Sequence, residues 1–282
     1  MKLLKNSNDY YEVIKDAIEL NGQYDKPVIF HCYWYGNLNE KHLFSILSCY
    51  YFNVYNNKHK IILWLENNIP NEYNTYIERY AEIRQFSFEN ETNPFNINIS
   101  HFSYIDLYSD CVRTFLLYNY GGICFDLDCF FLRSFDPLFY KFENEICLYE
   151  WSDQKHPNNA IYLSLEPKSE KMKGIIDFVI KRNRGWGFQN AELTYDLPLD
   201  ILVLPCSWFD ADFFDLSKQN PQNIGFLKFF NNTDTTYDFD NFFKGSFCYH
   251  WHNQWNKKIE DNSIMMQLIK IILDNLNKDS LI

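Results

Sequence analysis

Short apolar runs and single helices alternate along the first half of this 282-residue chain, and nothing else in the sequence narrows the fold as much. Pro27 to Tyr33 and Lys60 to Leu65 are apolar runs bounded by turn residues, the signature of buried strands. Ile83 to Phe88 alternates, and Ile123 to Leu132 reads as one further strand. Between them lie helical segments at Asn39 to Tyr51, Glu72 to Ala81 and Asp106 to Tyr120, preceded by a helix from Asn8 to Leu20 with Asn8 or Asp9 as its cap. In Asn39 to Tyr51, Leu43, Ile46, Leu47 and Tyr50 form one apolar stripe. Strands separated by single helices make βαβ crossovers and a mostly parallel sheet flanked by helices, so the class is α/β.

The second half is less regular. Glu145 to Glu150, Ala160 to Leu165, Ile201 to Leu204 and Ser246 to Trp251 read as strands. Ser169 to Arg182 and the closing segment Asp261 to Leu276 read as helices, and Trp208 to Phe214 is an aromatic, irregular stretch. No composition break separates the halves. The expectation is one domain over 1–282, with a nucleotide-binding half near 25–133, a sugar and acceptor half near 134–260 and a closing helix near 261–278.

Charge excludes one class of partner. With 26 basic against 37 acidic side chains the chain carries a formal −11, whereas nucleic-acid binding needs a Lys/Arg footprint. An acidic protein that handles a phosphorylated ligand needs a metal ion or a few placed cations. No stretch reaches the ~18 apolar residues of a membrane span, and Met1 to Asn8 lacks the apolar core of a secretory signal. The eight cysteines contain no CxxC and several sit in strand-like runs, which points to free thiols and a reducing, cytoplasmic location.

The segment Ser109 to Asp128, SDCVRTFLLYNYGGICFDLD, carries the chemistry. Asp110, Arg113 and Leu117 share one helical face. Gly121 suits the left-handed residue that ends a helix, and Gly122 lets backbone or ligand approach closely. Within a strand, Asp126 and Asp128 would project to one side and Leu127 into the core. Paired carboxylates at the end of a parallel strand lie where open α/β sheets bind ligands, and hard oxygen donors suit Mg²⁺ or Mn²⁺ bridging to phosphates. A plainer reading stands beside this: Asp110 and Arg113 as a helix-surface ion pair, the glycines as an ordinary cap. Two other D-x-D pairs, Asp210/Asp212 and Asp238/Asp240, read as surface or turn acids. What separates Asp126 and Asp128 is their setting among Ile123, Phe125, Phe130 and Phe131, where charge is costly to bury without a task.

The order S-D-x-x-R, Leu, G-G-I-x-x-D-x-D resembles the sugar-binding region of DXD-containing glycosyltransferases. That family includes initiating α-mannosyltransferases, α1,4-galactosyltransferases and the catalytic domains of clostridial glucosylating toxins. The resemblance implies a GT-A-type, Rossmann-like fold, a UDP- or GDP-sugar donor, Mn²⁺ or Mg²⁺, and a retaining transfer to a glycan, glycolipid or protein acceptor. It implies that Asp110 and Arg113 contact the donor sugar, that Asp126 touches ribose or sugar, and that Asp128, with Asp126 beside it, ligates the metal. Upstream, Ile29 to Gly36 is similar to the family's first strand, which makes Trp34, next to Tyr33, the candidate base platform, or else a large core residue. His31 reads as a hydrogen-bonded core histidine. Downstream, Tyr249 to Trp255 is similar to the family's late H-x-x-x-x-W element, so His250, with His252 in reserve, is the candidate third metal ligand, or these are aromatics at a surface strand end. Asn159 is a candidate sugar contact.

Two positions depart from the family pattern. Cys124 stands where the family has Tyr, and Thr194 to Pro198 stands where it has a Thr-Gly-Pro turn. The expected chemistry is a retaining transfer in which the metal and Arg113 neutralise the departing nucleoside diphosphate and the acceptor hydroxyl attacks from the same face, its proton passing to the leaving phosphate. No carboxylate is clearly offered as a covalent nucleophile, though Asp110 or Glu150 can be argued. Its rivals are a non-catalytic sugar-binding module of the same fold and a metal-dependent phosphohydrolase. Trp208, Phe209, Phe213 and Phe214 form either an acceptor-docking surface or packed core.

Overall fold

One eight-stranded sheet takes strands from both halves of the chain, in the order β1-β9-β7-β8-β5-β2-β3-β4. The computed structural model describes residues 2–3, 10–92, 105–150, 157–182, 201–215, 218–219 and 224–279. The strands are β1 Lys2–Leu3, β2 Ile29–Tyr35, β3 Lys60–Glu66, β4 Glu82–Gln85, β5 Gly122–Phe125, β6 Cys129–Phe131, β7 Ile146–Glu150, β8 Pro157–Ser164, β9 Ile201–Pro205, β10 Phe213–Asp215, β11 Lys218–Gln219 and β12 Cys248–His250. The helices are α1 Tyr10–Glu19, α2 Glu40–Cys49, α3 Glu72–Ile77, α4 Phe88–Thr92, α5 Ile105–Tyr120, α6 Asp136–Lys141, α7 Glu170–Arg182 and the closing α8 Ile264–Asp279.

The expected parallel unit is present. Strands β4, β3, β2 and β5 pair in parallel, with Phe30 opposite Ile61 on one side and Ile123 on the other. The chain builds outward from β2 to β4 and then returns through α5 to place β5 on the other side of β2. That reversal is a topological switch point, and the crevice beyond the carboxyl ends of β2 and β5 is where such sheets take ligands. β8 is the exception to the parallel pattern, running antiparallel to both β5 and β7.

Both faces of the sheet are covered, as parallel strands require. Phe30, Cys32, Leu63 and Phe125 pack to one side with α1, α2 and α6, whereas Ile62, Trp64 and Cys124 pack to the other with α5 and α7. A third apolar cluster joins α8 to Phe130, Tyr249 and Trp251. All eight cysteines are free and buried. No helix among the described residues is long and apolar enough to cross a membrane.

Several expectations change. The strand expected from Ile123 to Leu132 is broken: β5 belongs to the large sheet, whereas β6 pairs antiparallel with β12 in a separate two-stranded sheet. Asp126 makes a last link by donating its N–H to the Ala160 carbonyl at 2.9 Å, after which Cys129 N–H closes a turn onto the Asp126 carbonyl at 2.9 Å. Asp126 and Asp128 therefore ride on a turn, and the strand period does not set their directions. Leu127 does enter the core, at 2% exposure. Glu72 to Ala81 and Ile83 to Phe88 shorten to α3 and β4, and the closing helix begins at Ile264. Trp208 and Phe209 are fully buried and pack on Phe247, so they are core and not an acceptor surface. The side chains of Phe213 and Phe214, the Asn8/Asp9 cap and the turn at Thr194 to Pro198 lie outside the described residues.

Gly121 and Gly122 sit at the entry to β5, the end remote from the carboxylates. Gly121 (φ +65°) follows α5 and accepts His31 Nε2 on its carbonyl at 3.0 Å, while Trp64 Nε1 donates to His31 Nδ1 at 3.0 Å. His31 is thus the neutral core histidine expected, held low, at about 4, by burial. A Cβ on Gly122 (φ +110°) would lie 2.3 Å from the Ile29 carbonyl oxygen, and one on Gly121 as close to that of Leu165. Of the two approaches that a glycine here allows, backbone or ligand, it is backbone that arrives at both positions. Gly122→Ala is expected to destabilise the fold by about 2–3 kcal/mol through backbone strain and the clash, read as a lower urea midpoint with an unchanged m-value.

Candidate active site

Three elements meet at the switch point. Helix α5 runs back over the sheet before entering β5, so its Asp110 and Arg113 lie above the carboxyl end of β5. Antiparallel pairing, with Phe125 opposite Ile161, brings Asn159 of β8 to the same edge. Arg113 Nη2 donates to Asp110 Oδ1 at 2.5 Å and to Asn159 Oδ1 at 3.0 Å. Its Nη1 donates to Ser109 Oγ at 3.0 Å and to Asp126 Oδ1. Asn159 Nδ2 closes the network on Asp110 Oδ1 at 2.9 Å. The i,i+3 pair expected on a helix face is therefore nearly buried and reaches across to the D-x-D turn.

Arg113, expected to face a departing diphosphate, faces the acids of the site in this structure. Its terminal nitrogens are already engaged by two carboxylates, so it balances the acids of the site. The Asp126 side chain keeps 29% of its surface exposed, which leaves it the open member of the network. Burial raises its carboxyl to about 6 against the pull of Arg113, and the Asp128 charge adds to the rise.

Asp128 belongs to a second cluster. Its Oδ2 lies 3.2 Å from His250 Nε2 and accepts the Asn253 N–H at 2.7 Å, and its carbonyl accepts the Trp251 N–H at 2.9 Å. Pairing of β12 with β6, His250 opposite Cys129, sets this contact. Burial alone would raise Asp128, but His250 and the Asn253 N–H outweigh it and hold the carboxyl at about 2. Burial alone would likewise lower His250, but Asp128 outweighs it and pushes the imidazole up to about 10. His250 is fully inside the site and His252 stacks on it at 4.0 Å.

The reserve histidine leads to the residue that the sequence did not single out. His252 Nε2 lies 2.7 Å from Asp210 Oδ2, and His250 Nδ1 lies 3.8 Å from the same oxygen. Asp210 and Asp212 are buried at 0% and 2% exposure, which corrects their reading as surface acids. Asp212 accepts the Tyr249 hydroxyl at 2.7 Å. The third pair is an ordinary turn: Asp238 Oδ1 accepts the N–H groups of Asp240 and Asn241.

At the other end of the crevice, Trp34 is half-buried. It meets His42 edge-on at 4.3 Å and Trp255 at 4.8 Å, and its Nε1–H donates to the Asn37 carbonyl at 3.1 Å. The segment from His250 to Trp255 thus links the Asp128 cluster to Trp34. Tyr33 turns to the opposite face of β2, where its hydroxyl donates to Glu66 Oε2 at 2.7 Å. The structure does not bring it to the Trp34 side.

The donor set fits a divalent ion. Arg113 pairs with Asp110 and Asp126, whereas the buried Asp128 and Asp210 lie against His250 and His252. Asp128 and His250, with the Cys129 thiol near them, have ligand atoms within 4.8 Å of one another, as do Asp210, His250 and His252. Carboxylate oxygens suit Mg²⁺ or Mn²⁺, and the imidazole tilts the set away from the harder Mg²⁺.

Residues 48–143 match the model of a family described as "Glycosyltransferase sugar-binding region containing DXD motif". No curated protein sequence matches the chain. Among solved structures it is similar to the glycosyltransferase GlyE of Streptococcus pneumoniae TIGR4, at 14% identity and a TM-score of 0.51, covering 90% of this chain and 64% of that one. It is also similar to the PaToxG glycosyltransferase, at 16% identity and a TM-score of 0.44, covering 67% of this chain and 80% of that one. The chain thus spans less than two thirds of the GlyE chain, and that likeness bears on the fold.

Proposed function

We propose a donor, a metal and a stereochemical course for this chain, which is a glycosyltransferase of the DXD-containing, GT-A type. It transfers a sugar from a UDP- or GDP-sugar, with retention of configuration, to a hydroxyl of a glycan, glycolipid or protein. The observation that carries this reading is the juxtaposition of two clusters on one turn: Asp126 with Arg113, Asp110 and Asn159, and Asp128 with His250.

Asp128 and His250, with Asp126 on the same turn, would hold Mn²⁺ or Mg²⁺. When bound, the ion supplies positive charge for the diphosphate, the cation that Arg113 is not free to be. Asp110, Asn159 and the open carboxylate of Asp126 line the place for the donor sugar, with Arg113 fixing all three. Asp110 accepts from both Arg113 and Asn159, which blunts it as a covalent nucleophile. That supports attack by the acceptor on the face that the leaving group departs, its proton passing to the leaving phosphate. Eight buried, free cysteines support a reducing, cytoplasmic setting.

Trp34 gives the nucleobase a face. Base–aromatic stacking is worth about 1–3 kcal/mol, so Trp34→Ala is expected to raise the donor KM by about 10-fold or more with a smaller change in kcat. Trp34→Phe should recover most of that loss in steady-state assays. The test of the whole reading is nucleoside-diphosphate release across a panel of UDP- and GDP-sugars with Mn²⁺. Turnover of one donor that is lost in Asp128→Ala supports it. Donor binding without release by the wild type, with acceptors present, would mark a sugar-nucleotide-binding module instead.

A further inference from the structure

Asp210 lies outside the D-x-D turn and has no part in the reading above. It ends the short turn after β9, where its N–H donates to the Cys206 carbonyl at 2.7 Å, and its side chain is entirely buried. Sequestering a carboxylate among Trp208, Phe209 and Tyr149 carries a desolvation cost of several kcal/mol, so its neighbours indicate what it serves.

Those neighbours are on the far side of His250. The two ring nitrogens of His250 face different groups: Nε2 is 3.2 Å from Asp128 Oδ2, whereas Nδ1 is 3.0 Å from the Tyr149 hydroxyl and 3.8 Å from Asp210 Oδ2. A neutral imidazole can offer a lone pair from one nitrogen only if the other carries the proton. The group facing that other nitrogen therefore decides which one is available to a metal. On the Nδ1 side stand the Tyr149 hydroxyl oxygen, which can accept, and an oxygen of the Asp210 side chain. His252, whose Nε2 lies 2.7 Å from the same Asp210 oxygen and whose ring stacks on His250, fixes the carboxylate in place.

We propose that Asp210 is a positioning residue for the metal centre: together with the Tyr149 hydroxyl on the same side of the ring, it keeps the proton of neutral His250 on Nδ1 and so presents Nε2 to the divalent cation beside Asp128. This rests on the metal reading above, but it assigns a third acid from a separate part of the chain. It also gives the paired histidines distinct roles, His250 as ligand and His252 as the brace of Asp210. Outer carboxylates of this kind tune metal affinity by about 10–100-fold.

The experiment is Mn²⁺ binding to the purified full chain by titration calorimetry, with chelator-treated protein as the starting state. Asp210→Asn is expected to bind Mn²⁺ about 10–100-fold more weakly than wild type while its melting temperature in chelator stays within a few degrees. Tyr149→Phe is expected to weaken binding in the same direction and serves if Asp210→Asn does not fold. Nitrogen-15 spectra of the wild type with Mg²⁺ bound give a readout independent of any variant: His250 should show a protonated Nδ1 and an unprotonated Nε2. Wild-type Mn²⁺ affinity in both variants, or the opposite tautomer in the spectrum, overturns the assignment. So does a stoichiometry of two ions with the second lost in His252→Ala, because Asp210 would then be a ligand itself. If wild type and Asp128→Ala bind Mn²⁺ equally weakly or not at all, the metal reading itself falls, and this assignment with it. Loss in Asp128→Ala alone, with Asp210→Asn unchanged, sinks only the role of Asp210.

Discussion

Asp128→Ala should lower kcat/KM by about 10³-fold or more and abolish the dependence of turnover on Mn²⁺, the scale expected when an electrostatic support of the developing charge is removed. Asp128 is the acid held on three sides, by His250, by the Asn253 N–H and through the backbone of its own turn. In the metal-free chain the proton on His250 stands in for the cation. Asp128 is depressed to about 2 and His250 is raised to about 10, so near neutrality they form an ion pair. Metal binding must displace that proton, and calorimetry at pH 7 in buffers of different ionisation enthalpy should read about one proton released per Mn²⁺ bound. Stability follows the same signs. The raised His250 contributes fully below its unfolded value of 6.5, and that contribution is lost as pH rises through about 10. The depressed Asp128 contributes above 3.8 and loses its part as pH falls through about 2. The stability deficit of Asp128→Ala in chelator should therefore be largest between these unfolded values and shrink toward either extreme. A deficit that grows from pH 7 to pH 10 would contradict the ion pair.

Local signals made the parallel half of the sheet legible. The runs at Pro27 to Tyr33 and Lys60 to Leu65 carry their own bounding turns, and the helix from Asp106 to Tyr120 carries its glycine stop. The break after Phe125 was not legible, because the alternation Asp126-Leu127-Asp128 fits a strand and apolar residues resume directly after it. What ends β5 is the partner set: β8 accepts its last ladder bond and β12 captures β6, and both lie far along the chain. Asp210 was hidden for the same reason, since its contact with His252 spans 42 residues. A usable signal was present, however. Asp210 stands in the apolar run Ile201 to Ala211, and burying charge there is as costly as it is at Asp126 and Asp128. Applied evenly, that argument separates the buried Asp210/Asp212 from the turn pair Asp238/Asp240. The glycines show the converse limit. A double glycine permits close approach, but the sequence does not say whether backbone or ligand arrives, and here the carbonyls of Leu165 and Ile29 do.

Arg113→Lys is expected to behave almost as badly as Arg113→Ala, with donor turnover down by about 10²-fold or more in both. The reason lies in the shape of the guanidinium. Two terminal nitrogens serve four acceptors, Ser109 and Asp126 from one and Asp110 and Asn159 from the other. An ammonium is a point charge on a flexible stem and cannot span that fork. Truncation to Ala also leaves the buried Asp110 and the partly exposed Asp126 without their cation, for which a loss of about 3 kcal/mol is expected in urea denaturation. Lys should restore part of that stability by restoring charge, but not the geometry that fixes Asp110, Asn159 and Asp126 around the donor sugar. The two quantities should therefore separate, with stability partly rescued and turnover not. Metal binding makes the distinction sharper. If Arg113 balances the acids of the site, its removal adds net negative charge beside Asp128, so Mn²⁺ affinity in Arg113→Ala should hold or rise while activity falls. If Arg113 instead acted mainly as a charge on the leaving diphosphate, Lys would recover most of the turnover. A kcat/KM for Arg113→Lys within about threefold of wild type would favour that second role.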